Sequence, residues 1–247
     1  MDLGLKGRTA LVTGASSGLG LASAAALAAE GANVSLFGRR RDLLEREADR
    51  IGGLAIRGDV TIPKDLERAV ETTLEAFGGL DVLVWNGGGP PPGAATAVTP
   101  ESLEHAVELL LLPAVRLVQL VLPQLERSEG GRILAITSIA AKEPVDHLAL
   151  SNVVRPGVTA WLKTLSRELG PKGITVNCVA PGRIATARLE QLYPDGPSEA
   201  DLAEIPLRRF GAPDEFGDVV CFLASERARY VTGQTILVDG GLQRALF

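Results

Sequence analysis

A glycine-rich turn near the N-terminus combines residue types and spacing suited to binding phosphate. The apolar run Ala10–Val12 leads into Thr13-Gly14, and Gly18 and Gly20 follow before a long stretch of alanine and leucine. One glycine allows a tight bend, one lets backbone N–H groups approach a phosphate, and one lets a helix pack on a strand. The helix start adds free N–H groups and a positive dipole end. We predict nucleotide binding here, rather than an ordinary turn of small residues, by Gly14, Ser16, Ser17, Gly18, Leu19 and Gly20.

Consecutive arginines follow the next apolar run, in Phe37-Gly38-Arg39-Arg40-Arg41. An acidic side chain at Gly38 would bind the ribose 2′-hydroxyl of NAD and repel a 2′-phosphate, whereas guanidinium groups pair with phosphate. We therefore predict that NADP(H) is favoured over NAD(H), with Arg39 as the main contact and Arg40 as the second. The alternative is a solvated, basic start to a helix.

The spacing Thr13-Gly14-x-x-x-Gly18-x-Gly20 resembles the signature of the short-chain dehydrogenase/reductase family, and within it the 3-oxoacyl-[acyl-carrier-protein] reductases. The likeness extends over nearly the whole chain. It implies that Asp59 and Val60 contact the adenine, although Thr61, with a proline soon after, could simply start a helix. It also implies that Asn86 braces the central strands and that Gly87 lets the cofactor ribose come close.

The resemblance also implies roles for residues that follow the fifth and sixth predicted strands. Ser138 matches the serine that hydrogen-bonds the substrate oxygen, although a serine at a strand end is often only a turn residue. In Pro181-Gly182-Arg183-Ile184-Ala185-Thr186, the backbone of Ile184 and the hydroxyl of Thr186 would hold the nicotinamide carboxamide.

The sequence departs from the family at the residues expected to transfer protons. The family's Tyr-x-x-x-Lys pair falls on Ser151 and Arg155, and its relay asparagine falls on Leu110. A serine is much less acidic than a phenol and has a shorter reach, and an arginine supplies charge but no proton. Pro156 should also delay the start of this helix and move Arg155 elsewhere.

Other groups could replace the missing phenol as a proton source. His147 is one candidate, because histidine is the side chain best suited to exchange protons near neutral pH, although an exposed loop histidine is the simpler interpretation. Lys142 and Tyr193 could reach the site from loops, and water held by Ser138 and Ser151 is a further candidate. Because hydride transfer depends mainly on a correctly oriented cofactor, activity without the tyrosine is possible but slow.

Strands must alternate with helices throughout the chain to position these residues. Short runs rich in valine, isoleucine and leucine predict buried parallel strands with right-handed crossovers. We predict one α/β domain over residues 1–247, a doubly wound (Rossmann) fold with a seven-stranded parallel sheet in three layers. Residues 183–208 form its substrate loop or lid. Helical segments are expected near Pro100–Arg127 and near Val153–Leu169.

Composition excludes several other classes. The net charge is −5 and the basic residues are scattered apart from Arg39–Arg41, which argues against nucleic acid. The apolar stretch Ala106–Leu125 contains charges and proline, which favours a buried or interface helix pair over a membrane span. Cys178 and Cys221 lack metal or redox motifs and, with no signal peptide, favour the cytoplasm. No metal site is expected.

Two functions remain open. The first is an NADP(H)-dependent oxidoreductase acting on a small carbonyl, an alcohol or an acyl thioester, with Ser138, Ser151 and Arg155 at its catalytic site. The second is a catalytically degenerate dinucleotide sensor or partner subunit, because fold likeness alone does not establish activity. Both predict a homo-oligomer, since Leu109–Leu112 and the helix after Arg155 resemble the helices that build the family's tetramers.

Overall fold

Parallel strands form the centre of the structure, a computed structural model that describes residues 2–246. They are β1 (Thr9–Thr13), β2 (Asn33–Gly38), β3 (Leu54–Arg57), β4 (Val82–Trp85), β5 (Arg132–Ile136), β6 (Thr175–Pro181) and β7 (Thr235–Val238). Their order across the sheet is β3-β2-β1-β4-β5-β6-β7. This order confirms the predicted doubly wound fold. It reverses between β1 and β4, and ligands of such sheets bind at the carboxyl ends of the strands beside that reversal.

The helices cover both faces of the sheet. They are α1 (Gly18–Ala29), α2 (Arg41–Ile51), α3 (Pro63–Phe77), α4 (Pro100–Leu110), α5 (Leu112–Leu125), α6 (Ala149–Leu169), α7 (Ala187–Leu192), α8 (Glu199–Ala203) and α9 (Pro213–Ala224). Side chains alternate between the faces along each strand. Leu11 of β1 packs in the cluster formed with α3–α6, whereas Val12 packs in the cluster formed with α1, α2 and α9. The result is the predicted three-layer arrangement.

The predicted helix Pro100–Arg127 is divided in two at Leu111. Pro113 cannot donate a backbone hydrogen bond to the residue four positions earlier, so it lies in the first turn of a new helix instead. By length and hydropathy alone, Pro100–Leu125 is long and apolar enough to cross a membrane. Residues from both helices, including Ala106 and Leu117, are buried in the core beside the sheet, and this packing explains the apolar composition.

Helix α6 begins earlier than predicted. The expectation that Pro156 delays its start is wrong, because the helix runs from Ala149 with Pro156 inside it. The first turn is anchored by Asn152, whose side chain accepts from the backbone N–H of Val145 (3.0 Å) and donates to its carbonyl (2.9 Å). These contacts outweigh the weak preference of a residue before proline for extended backbone. Arg155 is consequently held on α6 rather than displaced.

The short helices α7 and α8 lie within residues 183–208, the segment predicted to be a lid. Arg183 is bonded to α8, since it donates to the carbonyl of Asp201 (2.6 Å) and pairs with Glu204. Its guanidinium also lies 5.7 Å from the ring centre of Tyr193. That ring packs edge-on against Phe210, at 5.4 Å. Tyr193 is therefore engaged in holding this segment.

Candidate active site

A cavity of about 570 Å³ lies at the carboxyl ends of the central strands. The glycine turn and the arginines after β2 line one end. The loops after β4 and β5, the first turns of α6, and α7 line the other. Every residue predicted for the site from the sequence lines this cavity except Gly20.

Two glycines of the turn fit their predicted roles for steric reasons. Gly14 has a positive φ of 59°, and a Cβ there would lie 2.8 Å from the side chain of Asn86. A Cβ on Gly20 would overlap the carbonyl of Gly14, so Gly20 lets α1 pack against the turn rather than lining the cavity. Ser17 precedes α1 without capping it through its side chain, and the first turn of α1 has no acidic residue. The helix start therefore suits a phosphate group.

Basic side chains lie beside this turn. Arg40 donates to the hydroxyl of Ser16 from Nη2 (2.9 Å) and Nε (3.2 Å), and Nη2 also donates to Ser17. The side chain of Arg39 is 78% exposed and lies 3.9 Å from the carboxylate of Asp59. Both arginines line the cavity, but Arg40, predicted as the second contact, is the one attached to the glycine turn.

The Asp59 carboxylate is oriented by the residue that follows Val60. It accepts hydrogen bonds from the backbone N–H (3.0 Å) and the hydroxyl (2.9 Å) of Thr61. Thr61 is not the helix cap, because α3 begins at Pro63 after Ile62. Asp59 and Val60 line the cavity beyond the arginines.

Asn86 joins the ends of β1 and β4, as predicted for a strand brace. Its backbone N–H donates to the hydroxyl of Thr13 (2.7 Å), and its side chain donates to the carbonyl of Gly14 (3.5 Å). At the adjacent Gly87, a Cβ would lie 2.8 Å from the ring of Trp85. Packing against this ring requires a glycine whether or not a ribose lies nearby.

Ser138 follows β5 and combines a turn role with an available donor. Its hydroxyl oxygen accepts from the N–H of Ala140 (3.1 Å), which caps the 3₁₀ turn Ile139–Ala141. A hydroxyl that accepts through one lone pair keeps its proton for donation. Ser138 can therefore hydrogen-bond a carbonyl oxygen in the cavity while it caps the turn.

Ser151 and Arg155 lie one helical turn apart on α6 and both line the cavity. Arg155 is 8% exposed and donates to the carbonyl of Ile136 (3.0 Å) and to that of Gly88. Burial, together with the charge of Arg188, lowers the pKa of Arg155 to about 10, so it remains charged at neutral pH. The two hydrogen bonds of Arg155 connect β5 to the loop after β4. The Ser151 hydroxyl has no hydrogen-bond partner within residues 2–246.

Further along, Ile184 and Thr186 flank the cavity on the segment after β6. Ile184 is buried and forms an isolated β-bridge with Gly211. Thr186 precedes α7 without capping it, so its hydroxyl is available to a ligand.

The structure adds Arg188 of α7 to the site, a residue that the sequence analysis missed. It lines the cavity and donates from Nη2 to the carbonyl of Pro90 (2.9 Å). Its only sequence signal was its place two residues after Thr186. Leu110, where the resemblance predicts the relay asparagine, is buried in the core.

The alternative proton donors do not line the cavity. His147 is exposed in a loop with a φ of 59°, as its simpler interpretation predicted. Lys142 and Tyr193 are also absent from the cavity wall. In residues 2–246, no group of three or more His, Cys, Asp and Glu side chains could hold a metal ion.

The strand order and the glycine turn define a Rossmann domain. The family model described as enoyl-(acyl carrier protein) reductase matches residues 14–243. The chain belongs to the short-chain dehydrogenase/reductase family.

Similar proteins span almost the whole chain. Dehydrogenase/reductase SDR family member 4 of Oryctolagus cuniculus is 35% identical, over 96% of this chain and 94% of the relative. A 3-oxoacyl-[acyl-carrier-protein] reductase of Staphylococcus epidermidis is 34% identical, over 95% and 98%. L-sorbose reductase of Gluconobacter frateurii, solved with NADPH and L-sorbose, has a TM-score of 0.93 and 33% identity over the full length of both chains.

Proposed function

We propose that this protein is an NADP(H)-dependent oxidoreductase that reduces a carbonyl group with an altered proton donor. One observation carries the proposal: a single cavity joins the glycine turn, Arg39 and Arg40 at one end to Ser138 and Ser151 at the other. The substrate class is a small carbonyl compound or a 3-oxoacyl thioester, or the corresponding alcohol in reverse. The similarity to a 3-oxoacyl-[acyl-carrier-protein] reductase and to a sugar reductase solved with NADPH supports both the carbonyl reduction and the use of NADP(H).

The residues present fit the cofactor. The uncapped start of α1 would hold the pyrophosphate, the arginines the 2′-phosphate, and Thr186 the carboxamide. When bound, NADPH supplies a hydride to the carbonyl carbon and leaves as NADP⁺. The protein's own task is orientation and charge stabilisation.

In this mechanism the reduced oxygen is stabilised before it is protonated. Ser138 donates a hydrogen bond to the carbonyl oxygen, and the fixed charge of Arg155 lowers the energy of the developing alkoxide. A water molecule held by Ser138 and Ser151 then delivers the proton, because Arg155 does not release one at neutral pH. Solvent replaces that proton, which balances the two-electron reduction.

Ser151 lies where the resemblance predicts the proton-donating tyrosine. The lack of that tyrosine supports a second candidate function, a dinucleotide sensor or partner subunit. Arg155 is bonded to two main-chain carbonyls, an arrangement that serves structure without any reaction. This candidate predicts NADPH binding without turnover.

Paired titrations with NADPH and NADH, followed by NADPH oxidation with 3-oxoacyl thioesters and simple ketones, separate the two. Tight NADPH binding with oxidation supports the enzyme, and binding without oxidation of any compound supports the sensor. Failure to bind either nucleotide contradicts both.

The arginine pair provides a test of cofactor choice. We expect Arg39→Ala combined with Arg40→Ala to weaken NADPH binding about 10–100-fold, because charge-assisted bonds to the 2′-phosphate are lost. NADH binding should not change, as measured by fluorescence titration. Arg41→Ala is the matched control, since Arg41 pairs with Glu45 (2.8 Å) and does not line the cavity. An equal loss for both nucleotides would contradict the assignment.

A homotetramer is expected in solution. Leu112 and Val153, 38% and 55% exposed, are large apolar side chains at the surfaces of α5 and α6. Light scattering should give four times the 25.9 kDa mass of the chain, and Val153→Glu should lower it. A mass of one chain would contradict the prediction.

A further inference from the structure

In the part of the chain that the structure describes, the substrate end of the cavity carries positive charge without a neighbouring carboxylate. Arg155 and Arg188 both line it there, with the hydroxyls of Ser138 and Ser151. Among residues 2–246, Asp59 is the one acidic residue that lines the cavity, and it lies at the opposite end beside Arg39. The substrate end therefore presents two guanidinium groups and no carboxylate.

The two arginines hold the same loop. Arg155 donates to the carbonyl of Gly88 and Arg188 to that of Pro90, two residues further on. Neither forms an ion pair within 4.0 Å in residues 2–246, although eleven such pairs occur elsewhere in that range. Neighbouring like charges without counterions favour the binding of an anion between them.

Unused hydrogen-bond donors also indicate an anion site, independently of the charge. The Nε of Arg155 is buried and has no hydrogen-bond partner in the described residues. Arg188 uses one of its five N–H donors, in its bond to Pro90. Arg188 is exposed, so its free N–H groups are accessible to a ligand, and a guanidinium fork matches the two oxygens of a carboxylate.

We propose that the substrate is an oxo acid whose carboxylate is bound by Arg188 within the positive field of Arg155. This proposal rests on the carbonyl reduction proposed above and narrows its substrate class. Ser138 would bind the oxygen of the reacting carbonyl, and the carboxylate would lie towards α7. Leu148, Leu189 and Leu192 would contact the apolar part of the molecule, because they line the same end.

The test compares short 2-oxo and 3-oxo acids with their primary amides, which keep the shape and remove the charge. NADPH oxidation should show a higher kcat/KM for the acids. Arg188→Gln should lower kcat/KM for the acids about 10–100-fold, mainly through KM, because one charge-assisted fork is lost. The kcat/KM for the amides should fall much less than that for the acids, the Kd of NADPH should be unaffected, and Arg188→Lys should retain part of the preference for acids. Arg167→Gln, an exposed arginine on α6 outside the cavity, controls for the change in net charge.

The outcomes separate this inference from the proposed function. Oxidation with equal kcat/KM for acids and amides overturns the inference and leaves carbonyl reduction intact. Weaker NADPH binding in Arg188→Gln assigns the arginine to the cofactor phosphates and also overturns it. If no compound is reduced, calorimetry measures the binding of the acid and of the amide to the NADPH complex. If only the acid binds and Arg188→Gln abolishes that binding, the result supports the anion site and contradicts the proposed reaction. If acid and amide bind equally, the result contradicts both the anion site and the proposed reaction.

Discussion

Replacing Ser138 by alanine is expected to lower kcat/KM for carbonyl reduction by about 10²–10³, the usual effect of removing one donor to a developing oxyanion. The fall should appear in kcat, because the hydrogen bond strengthens as the oxygen gains charge. NADPH binding should be unchanged, since the glycine turn, the arginines and Thr186 would hold the cofactor. Steady-state NADPH oxidation and a nucleotide titration measure the two effects separately.

Ser138 also caps a turn. The control variant must therefore remove a comparable turn cap outside the catalytic site. Ser225 is matched to it, because its hydroxyl accepts from the N–H of Arg227 (3.1 Å) and caps the 3₁₀ turn Glu226–Ala228. Each alanine variant should lose about 1 kcal/mol of stability. Only Ser138→Ala should lose activity. Equal activity in Ser138→Ala and the unmodified protein would exclude the proposed role.

Introducing a phenol at the site should have a large effect in the opposite direction. We expect Ser151→Tyr to raise kcat for a neutral ketone by about 10²–10⁴, the usual contribution of a positioned general acid. Ser151 lines the cavity one turn before Arg155, and that positive charge should lower the pKa of a nearby phenol. The rate of NADPH oxidation at saturating ketone is the measurement.

Ser151→Phe is the matched control, with nearly the same size and no hydroxyl. If tyrosine and phenylalanine give the same rate, shape rather than proton supply is responsible. If Ser151→Tyr is no faster than the unmodified protein, proton delivery does not limit turnover and the altered-donor mechanism is wrong.

The fold was predictable because the central strands β1, β2, β4, β5 and β6 are buried and leave short apolar runs in the sequence. The seven strands and their parallel order were confirmed. The sequence was less informative where tertiary contacts decide. Pro113 divided a predicted helix, whereas Pro156 did not delay another, because Asn152 bonds to Val145 and Arg155 to two carbonyls.

The nucleotide end of the site could be predicted, since turn spacing and charge are local properties of the sequence. The substrate end could not, because its residues come from separate segments. Arg188 reaches the site only because α7 lies against the loop at Pro90. The hydrogen bonds of Arg155 to β5 and to the loop after β4 had no local signal either.

Those two hydrogen bonds constrain how this chain can evolve. A lysine at position 155 would present a single ammonium on a shorter stem, which does not match a two-pronged site. Arg155→Lys alone would then leave a buried carbonyl without a partner and lower the free energy of unfolding by about 1–3 kcal/mol. It would restore no chemistry while Ser151 is retained. A change to the family's Tyr-x-x-x-Lys pair that begins at position 155 would therefore pass through a less stable protein, and selection for stability would favour the present pair.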